Sequence, residues 1–123
     1  MNRWLFKADP DAYGWADLVK AKKDRWDGVS NPLALKHLRG VKTGDQIFIY
    51  HTGKEKAVVG IAKAVSDNLD ISPVGPLKRP VSLSEIKSNA KLRGWELVRM
   101  SRLSVMPVTP AQWSEVTRQS EKS

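Results

Sequence analysis

Apolar and polar residues alternate at the start of the chain. In RWLFK, Trp4 and Phe6 fall on one side and Arg3, Leu5 and Lys7 on the other, the period of a strand with one face inward. ADPDAYG breaks the pattern and reads as a turn-rich connection. WADLVKA then sets Trp15, Leu18 and Val19 on one stripe of a short amphipathic helix. Asp27-Gly28 is a turn. Asn31-Pro32 is a helix start, because Asn caps free N–H groups and Pro suits the first helical position. Ala34, Leu35 and Leu38 share the apolar face of that helix, and Gly40 is placed to end it.

Lys42-Thr43-Gly44-Asp45 turns the chain into QIFIYHT, with Ile47, Ile49 and His51 on one face and Phe48, Tyr50 and Thr52 on the other. Gly53-Lys54 is a hairpin turn into EKAVVGIAKAV, and the two strands form an antiparallel pair. LDISPVGPL is apolar but carries prolines, which predicts an edge or irregular strand. Ser82-Leu83-Ser84-Glu85 has capping-box spacing and opens a short helix through Lys87. RLSVMPV is a strand with Leu103 and Val105 inward. Thr109 caps a last helix that turns Trp113 and Val116 to the core. The order is strand, helices, hairpin, strand, helix, strand, helix. It predicts an α+β fold with a small curved or barrel-like sheet.

A chain of 123 residues points to one domain, read here as residues 1–118 with a frayed tail over 119–123. With 41% hydrophobic residues it has the material for a core, and with no cysteine it has no disulfide, thiol nucleophile or Cys-type zinc site. Nothing resembles a signal peptide or a membrane span, so the expectation is a soluble cytoplasmic protein with no membrane partner. Charge changes the picture more. Lys and Arg number 21 against 13 Asp and Glu, for a net charge of +8. The cations recur along the chain in KAKKDR, KHLRGVK, KEK, LKR and KLR. A domain this basic attracts polyanions, nucleic acid first among them; the plainer alternative is charge that serves solubility.

Phosphate-binding glycine loops, zinc-protease and nucleophile-elbow motifs are all missing. The two histidines, His37 and His51, would need Asp45 to make a metal site, and no spacing supports that. No cofactor is implied. Five of the nine aromatics are Trp: Trp4, Trp15, Trp26, Trp95 and Trp113. Trp serves a core and also serves as a flat wall for stacking.

The blocks WLFKADP, WDGVSNPLALKHLRGVKTGD, IFIYHTGKEKAVVGIAKAV and SRLSVMPVTPAQW resemble the EVE domain in composition and order, from Trp4 to about Trp113. The resemblance implies a PUA-like fold, alongside PUA, ASCH and YTH domains: a small, curved, barrel-like mixed β-sheet with short flanking helices. It also implies binding of DNA or RNA and recognition of a modified base, cytosine or adenine, in an aromatic-lined pocket. Three departures stand out. Ala8-Asp9-Pro10 replaces the usual Ser-Glu-Pro. Ser30-Asn31-Pro32-Leu33 replaces Arg-Asn-Tyr-Gln. A longer insert usual in the family is missing between Asn68 and Leu69.

A base reader needs a stacking face, polar groups for the base edge, and cations along the backbone path. Trp26 matches a cage position of the superfamily and is the expected stacking face; the alternative is a core tryptophan. Trp4 is the expected pocket floor. Asn31 and Ser30 are candidates for the base edge, although capping alone explains Asn31. Lys7 and Ala8 end the first strand beside the pocket, and Tyr50, His51 and Thr52 end a strand at the same rim. Arg102 and Ser101, with Lys23 and Arg25, are candidates for phosphate contacts, helped by Lys20 and Lys22. Two other classes of function stay open: a small enzyme acting on nucleotides or RNA through Lys7 and His51, and a protein-interaction module with incidental charge.

Overall fold

The computed structural model describes residues 2–26, 28–67 and 69–122; the expected Asp27-Gly28 turn and the place of the missing insert therefore touch positions outside the described residues. Among the described residues six strands form one mixed sheet: β1 (Arg3–Ala8), β2 (Asp24–Arg25), β3 (Gln46–His51), β4 (Ala57–Ala64), β5 (Asp70–Ser82) and β6 (Val105–Pro107). Their spatial order is β2-β5-β4-β3-β1-β6, and the sheet curls into a half-barrel. Register shifts in both the β3–β4 and the β4–β5 pairs fit that curvature, since bulges bend and twist a strand. Around it lie α1 (Trp15–Ala21), α2 (Pro32–Arg39), α3 (Leu83–Ser88), α4 (Glu96–Arg99) and α5 (Pro110–Ser120).

β1 runs parallel to β3, with Lys7 opposite Tyr50 and Ala8 opposite His51. A parallel pair needs a long crossover. Here it is the segment carrying α1, β2 and α2, which places Trp26 beyond the end of β1. Both faces of β1 are buried, so Leu5 is core as much as Trp4 and Phe6 are. The one-sided reading of RWLFK fails because β1 is an inner strand of a curled sheet, flanked by β3 and β6.

Helix starts follow the sequence closely. Asn31 Oδ1 accepts from Leu33 N–H and Ala34 N–H. Ser82–Glu85 and Thr109–Gln112 close capping boxes on α3 and α5. The turns also hold: Gly44 and Gly53 have φ of +94° and +79°.

Three readings change, and the edge or irregular strand expected over LDISPVGPL holds but runs further. Val19 is 47% exposed, so the inward stripe of α1 is Trp15 and Leu18. LDISPVGPL is the front of a 13-residue strand. Only its first residues are covered by β2, at Asp24–Ile71 and Arg25–Asp70; Pro73, Pro76 and Pro80 lie beyond, where the missing N–H groups cost no β2 pairing. Leu103 is buried but precedes β6. Finally, the tail is held further than residue 118: α5 reaches Ser120, and Arg79 donates to the carbonyls of Gln119 and Lys122. β2 and α4 are too short to leave a period in the sequence.

Four tryptophans pack. Trp113 stacks on Phe48 with ring centroids 3.8 Å apart, and the Arg3 guanidinium lies 5.5 Å from its ring. Trp95 is fully buried and donates to Pro107 O. Trp15 lies against Gly60, where a Cβ would come within 2.7 Å of the indole. Trp4 is core.

Candidate nucleic-acid interface

Past the end of β1 the chain turns back, with Ala12 N–H and Tyr13 N–H donating to Asp9 O. Trp26 continues the β2 edge by donating its N–H to Leu69 O. Between these segments lies a cavity of about 450 Å³ walled by Lys7, Ala8, Asp9, Tyr13, Asp24, Arg25, Trp26, Val29 and others. Trp26 is half-buried. Its ring centroid is 5.6 Å from that of Phe6 at a 34° tilt, and 6.3 Å from that of Tyr13 at 76°. Trp26 is thus packed on the core through Phe6 and also forms a cavity wall. With Tyr13 it makes a right-angled aromatic corner.

The polar groups of this corner have mixed sign. The buried Tyr13 hydroxyl has no hydrogen-bond partner of good geometry among the described residues. Burial first, then the neighbouring Asp24 and Asp17 carboxylates, push it up to about 12, so at neutral pH it is a protonated donor. Asp9 Oδ1 accepts from Asp11 N–H. Arg25 and Lys7 bring the cations. Burial lowers the Lys7 ammonium from its ordinary value. Its Nζ donates to Ser101 O at 2.9 Å and sits 5.8 Å from the Tyr50 ring centroid.

Lys7 also faces a second cavity, of about 250 Å³, shared with Tyr50, Thr52 and Ser101. A third, open hollow is lined by Asn31, Ser101 and Arg102 with Leu33 and Met100. The sequence candidates are therefore divided. Lys7, Ala8, Arg25 and Trp26 meet in the first cavity; Lys7, Tyr50, Thr52 and Ser101 meet in the second; Asn31 and Arg102 face the third. Ser30 is exposed between Val29 and the Asn31 cap, and Lys23 is exposed after α1 without lining any of them.

Two candidates stand apart. Trp4 is not a pocket floor: its Nε1–H donates to Asp45 Oδ2 at 2.9 Å and its ring lies beside His37 and Gly40. Burial opposes ionisation of Asp45, yet hydrogen bonds from Trp4, Lys42 and Asn2 outweigh it and hold the carboxyl below its ordinary value. His51 is engaged at both nitrogens. Nε2 accepts from Trp15 N–H at 2.9 Å, which leaves Nδ1 as the donor to Glu55, 2.6 Å away. It ties α1 to the β3–β4 hairpin. His51 lines neither cavity that Lys7 faces, so the two are not assembled as a catalytic pair. Among the described residues no group of three His, Cys, Asp or Glu is placed to hold a metal ion. Among the described residues no helix is long and apolar enough to cross a membrane.

Sequence reasoning missed Tyr13, Phe6, Asp9 and Asp24. Tyr13 sits in a turn-rich segment with no period to mark it. Phe6 was legible as inward but not as the support of Trp26, because the sequence does not say which core residue a crossover segment returns to.

A curled mixed sheet of this topology, with a cavity at the end of its first strand, defines a PUA-like domain. The chain matches the EVE domain family over residues 2–70 and 63–119, and it belongs to that family. It is 27% identical to thymocyte nuclear protein 1 of Homo sapiens over 168 residues, covering 98% of this chain and 75% of that protein. Among solved structures, a protein from Agrobacterium tumefaciens is 34% identical, with a TM-score of 0.93 over 98% of this chain and 94% of that one. Human THYN1 in complex with DNA containing 5-methylcytosine is 27% identical, with a TM-score of 0.91 over 100% and 99% of the two chains. An ASCH protein from Zymomonas mobilis, 11% identical at a TM-score of 0.56, shares the fold alone. The family match breaks into two pieces around residues 63–70. In this stretch Val65 N–H donates to Asp70 O, which holds the end of β4 to the start of β5.

Proposed function

We propose that the protein is a nucleic-acid-binding module that takes an unstacked, modified base, cytosine or adenine, into the corner formed by Trp26 and Tyr13. The observation that carries this reading is the corner itself: an aromatic face half-open to a cavity, backed by Phe6, with a perpendicular second ring. A base entering it stacks on one ring and meets the edge of the other. Asp9 and Asp24 are acceptors suited to an exocyclic amino group, which cytosine and adenine carry. Arg25 and Lys7 offset the strand's charge. The human relative bound to 5-methylcytosine DNA supports the part of this reading that concerns a modified base in DNA. Leu69, whose carbonyl holds Trp26, borders the place of the missing insert; that flank of the corner lacks the wall an insert would add. The Ser-Glu-Pro departure at Ala8-Asp9-Pro10 keeps a carboxylate on the rim.

Equilibrium titration with short single strands tests this, comparing one modified base with its unmodified parent. Loss of the stacking face in Trp26→Ala removes ~1–3 kcal/mol of affinity, most of it from the modified ligand. Trp26→Phe, which keeps an aromatic on Phe6, retains part of the preference. Equal affinity for both ligands in the wild-type protein contradicts the reading.

A further inference from the structure

The second cavity lies where three separate elements end: β1 at Lys7, the β3–β4 turn at Lys56, and α3 at Lys87. Its wall carries these three lysines and no carboxylate among the described residues. The side chains of Lys56 and Lys87 form no ion pair or hydrogen bond among the described residues, and the Lys7 ammonium donates to one carbonyl, Ser101 O, beside the Tyr50 ring. The Tyr50 hydroxyl makes no hydrogen bond among the described residues either, and Tyr50 is part of the wall. Burial raises it above its ordinary value, so it too is a donor. The contrast with the first cavity is direct, since that one has Asp9 and Asp24 in its wall. Lys56 is also held in place: its backbone lies in the left-handed region, at φ of +47°, and its carbonyl accepts Leu83 N–H at the start of α3 at 2.7 Å. The Lys56 backbone is thereby fixed relative to α3, the helix that carries Lys87.

Cationic and hydroxyl donors that face no carboxylate, lining one recess from three directions, suit an anion with several oxygens. Lys7 stands in the wall of both cavities, so an anion here is next to whatever fills the aromatic corner. We infer that the recess lined by Lys7, Tyr50, Lys56 and Lys87 seats a backbone phosphate of the nucleic-acid strand whose base enters the Trp26 corner. This rests on the base-binding reading given above. Lys56 and Lys87 supply the charge, Tyr50 a neutral donor, and Lys7 joins the two sites.

The test uses the full chain and a single-stranded oligonucleotide carrying one 5-methylcytosine, titrated over a range of salt. The variants are Lys56→Gln with Lys87→Gln, and as a control of equal charge change Lys36→Gln with Lys63→Gln, both exposed outside the recess. Each phosphate contact adds about 0.7 to the salt slope on single strands. The recess variant is expected to lose up to about 1.4 of slope and to keep its ratio of modified to unmodified affinity. The control is expected to change neither. Equal slope loss in both variants overturns the inference, because the recess then contributes only net charge. Inorganic phosphate competing as well as a nucleoside monophosphate also overturns it, since the recess would then be a free-phosphate site. The preference ratio reports the base reading separately: a Trp26→Ala protein with an unchanged ratio overturns that reading whatever the slopes do.

Discussion

Tyr13 carries more of the site than its place in a turn suggests. Its hydroxyl is buried beside Asp24 without a partner of good geometry, a cost that an acceptor in the cavity would offset. Tyr13 and Tyr50 are the two tyrosines of the chain, and both are raised above the ordinary 10.0. The phenolate absorbance of the folded protein should therefore stay low at pH 10, with Tyr13 ionising near 12. The sign for stability follows. Both groups hold their protons more tightly folded than unfolded, so their contribution is intact below pH 10 and is lost as pH rises through the folded values. Denatured protein, titrating at the ordinary value, gives the comparison; a folded protein that ionises a full tyrosine at pH 10 contradicts this account of the corner.

At the scale of elements, the caps and one tight contact can be tested without touching the cavity. Asn31→Ala removes the cap of α2 and should cost about 1 kcal/mol in denaturant unfolding. It should leave the modified-base preference intact, because Asn31 lines a different hollow. Gly60→Ala drives a methyl into the Trp15 indole and should cost ~1–3 kcal/mol by overpacking. These elements also show what the sequence can tell. Caps, hairpin turns and the β3–β4 pair depend on neighbours in the chain, so Asn31, Ser82, Thr109 and Gly53 announce them. The partners of β1 depend on a crossover of nearly forty residues, which leaves no local period. Hence Trp26 was legible as an unusual tryptophan, Trp4 was misplaced to the pocket, and Tyr13 was missed. His51 had the look of chemistry only until its two partners, Trp15 N–H and Glu55, came from different elements.

Across the whole molecule, charge governs both stability and encounter. The nearly buried Glu115 accepts from Arg118, Asn89 and Gln119, in that order of effect, and these hold its carboxyl far below the ordinary 4.5. Arg79, chiefly, lowers Glu85, and Asp45 is lowered as described. A carboxyl depressed in the folded state contributes stability above its unfolded value, and that contribution is lost as pH falls toward the folded one. Thermal melts should therefore show a plateau near neutrality and a decline below about pH 4.5, shallower in Glu115→Gln, which starts from a lower plateau. The net charge of +8 sets the other expectation: binding to any strand weakens steeply with salt. That slope alone does not distinguish a reader from a basic surface, so the decisive observable must be local to the corner.

The most direct one is the set of indole N–H resonances of the five tryptophans in a nitrogen-15 correlation spectrum, recorded while single strands with and without 5-methylcytosine are added. The account predicts that the Trp26 indole shifts strongly with the modified strand and less with the parent. The indoles of Trp4 and Trp95, bonded to Asp45 and Pro107 inside the fold, should stay in place. A Trp26 resonance that does not move while binding saturates would contradict it.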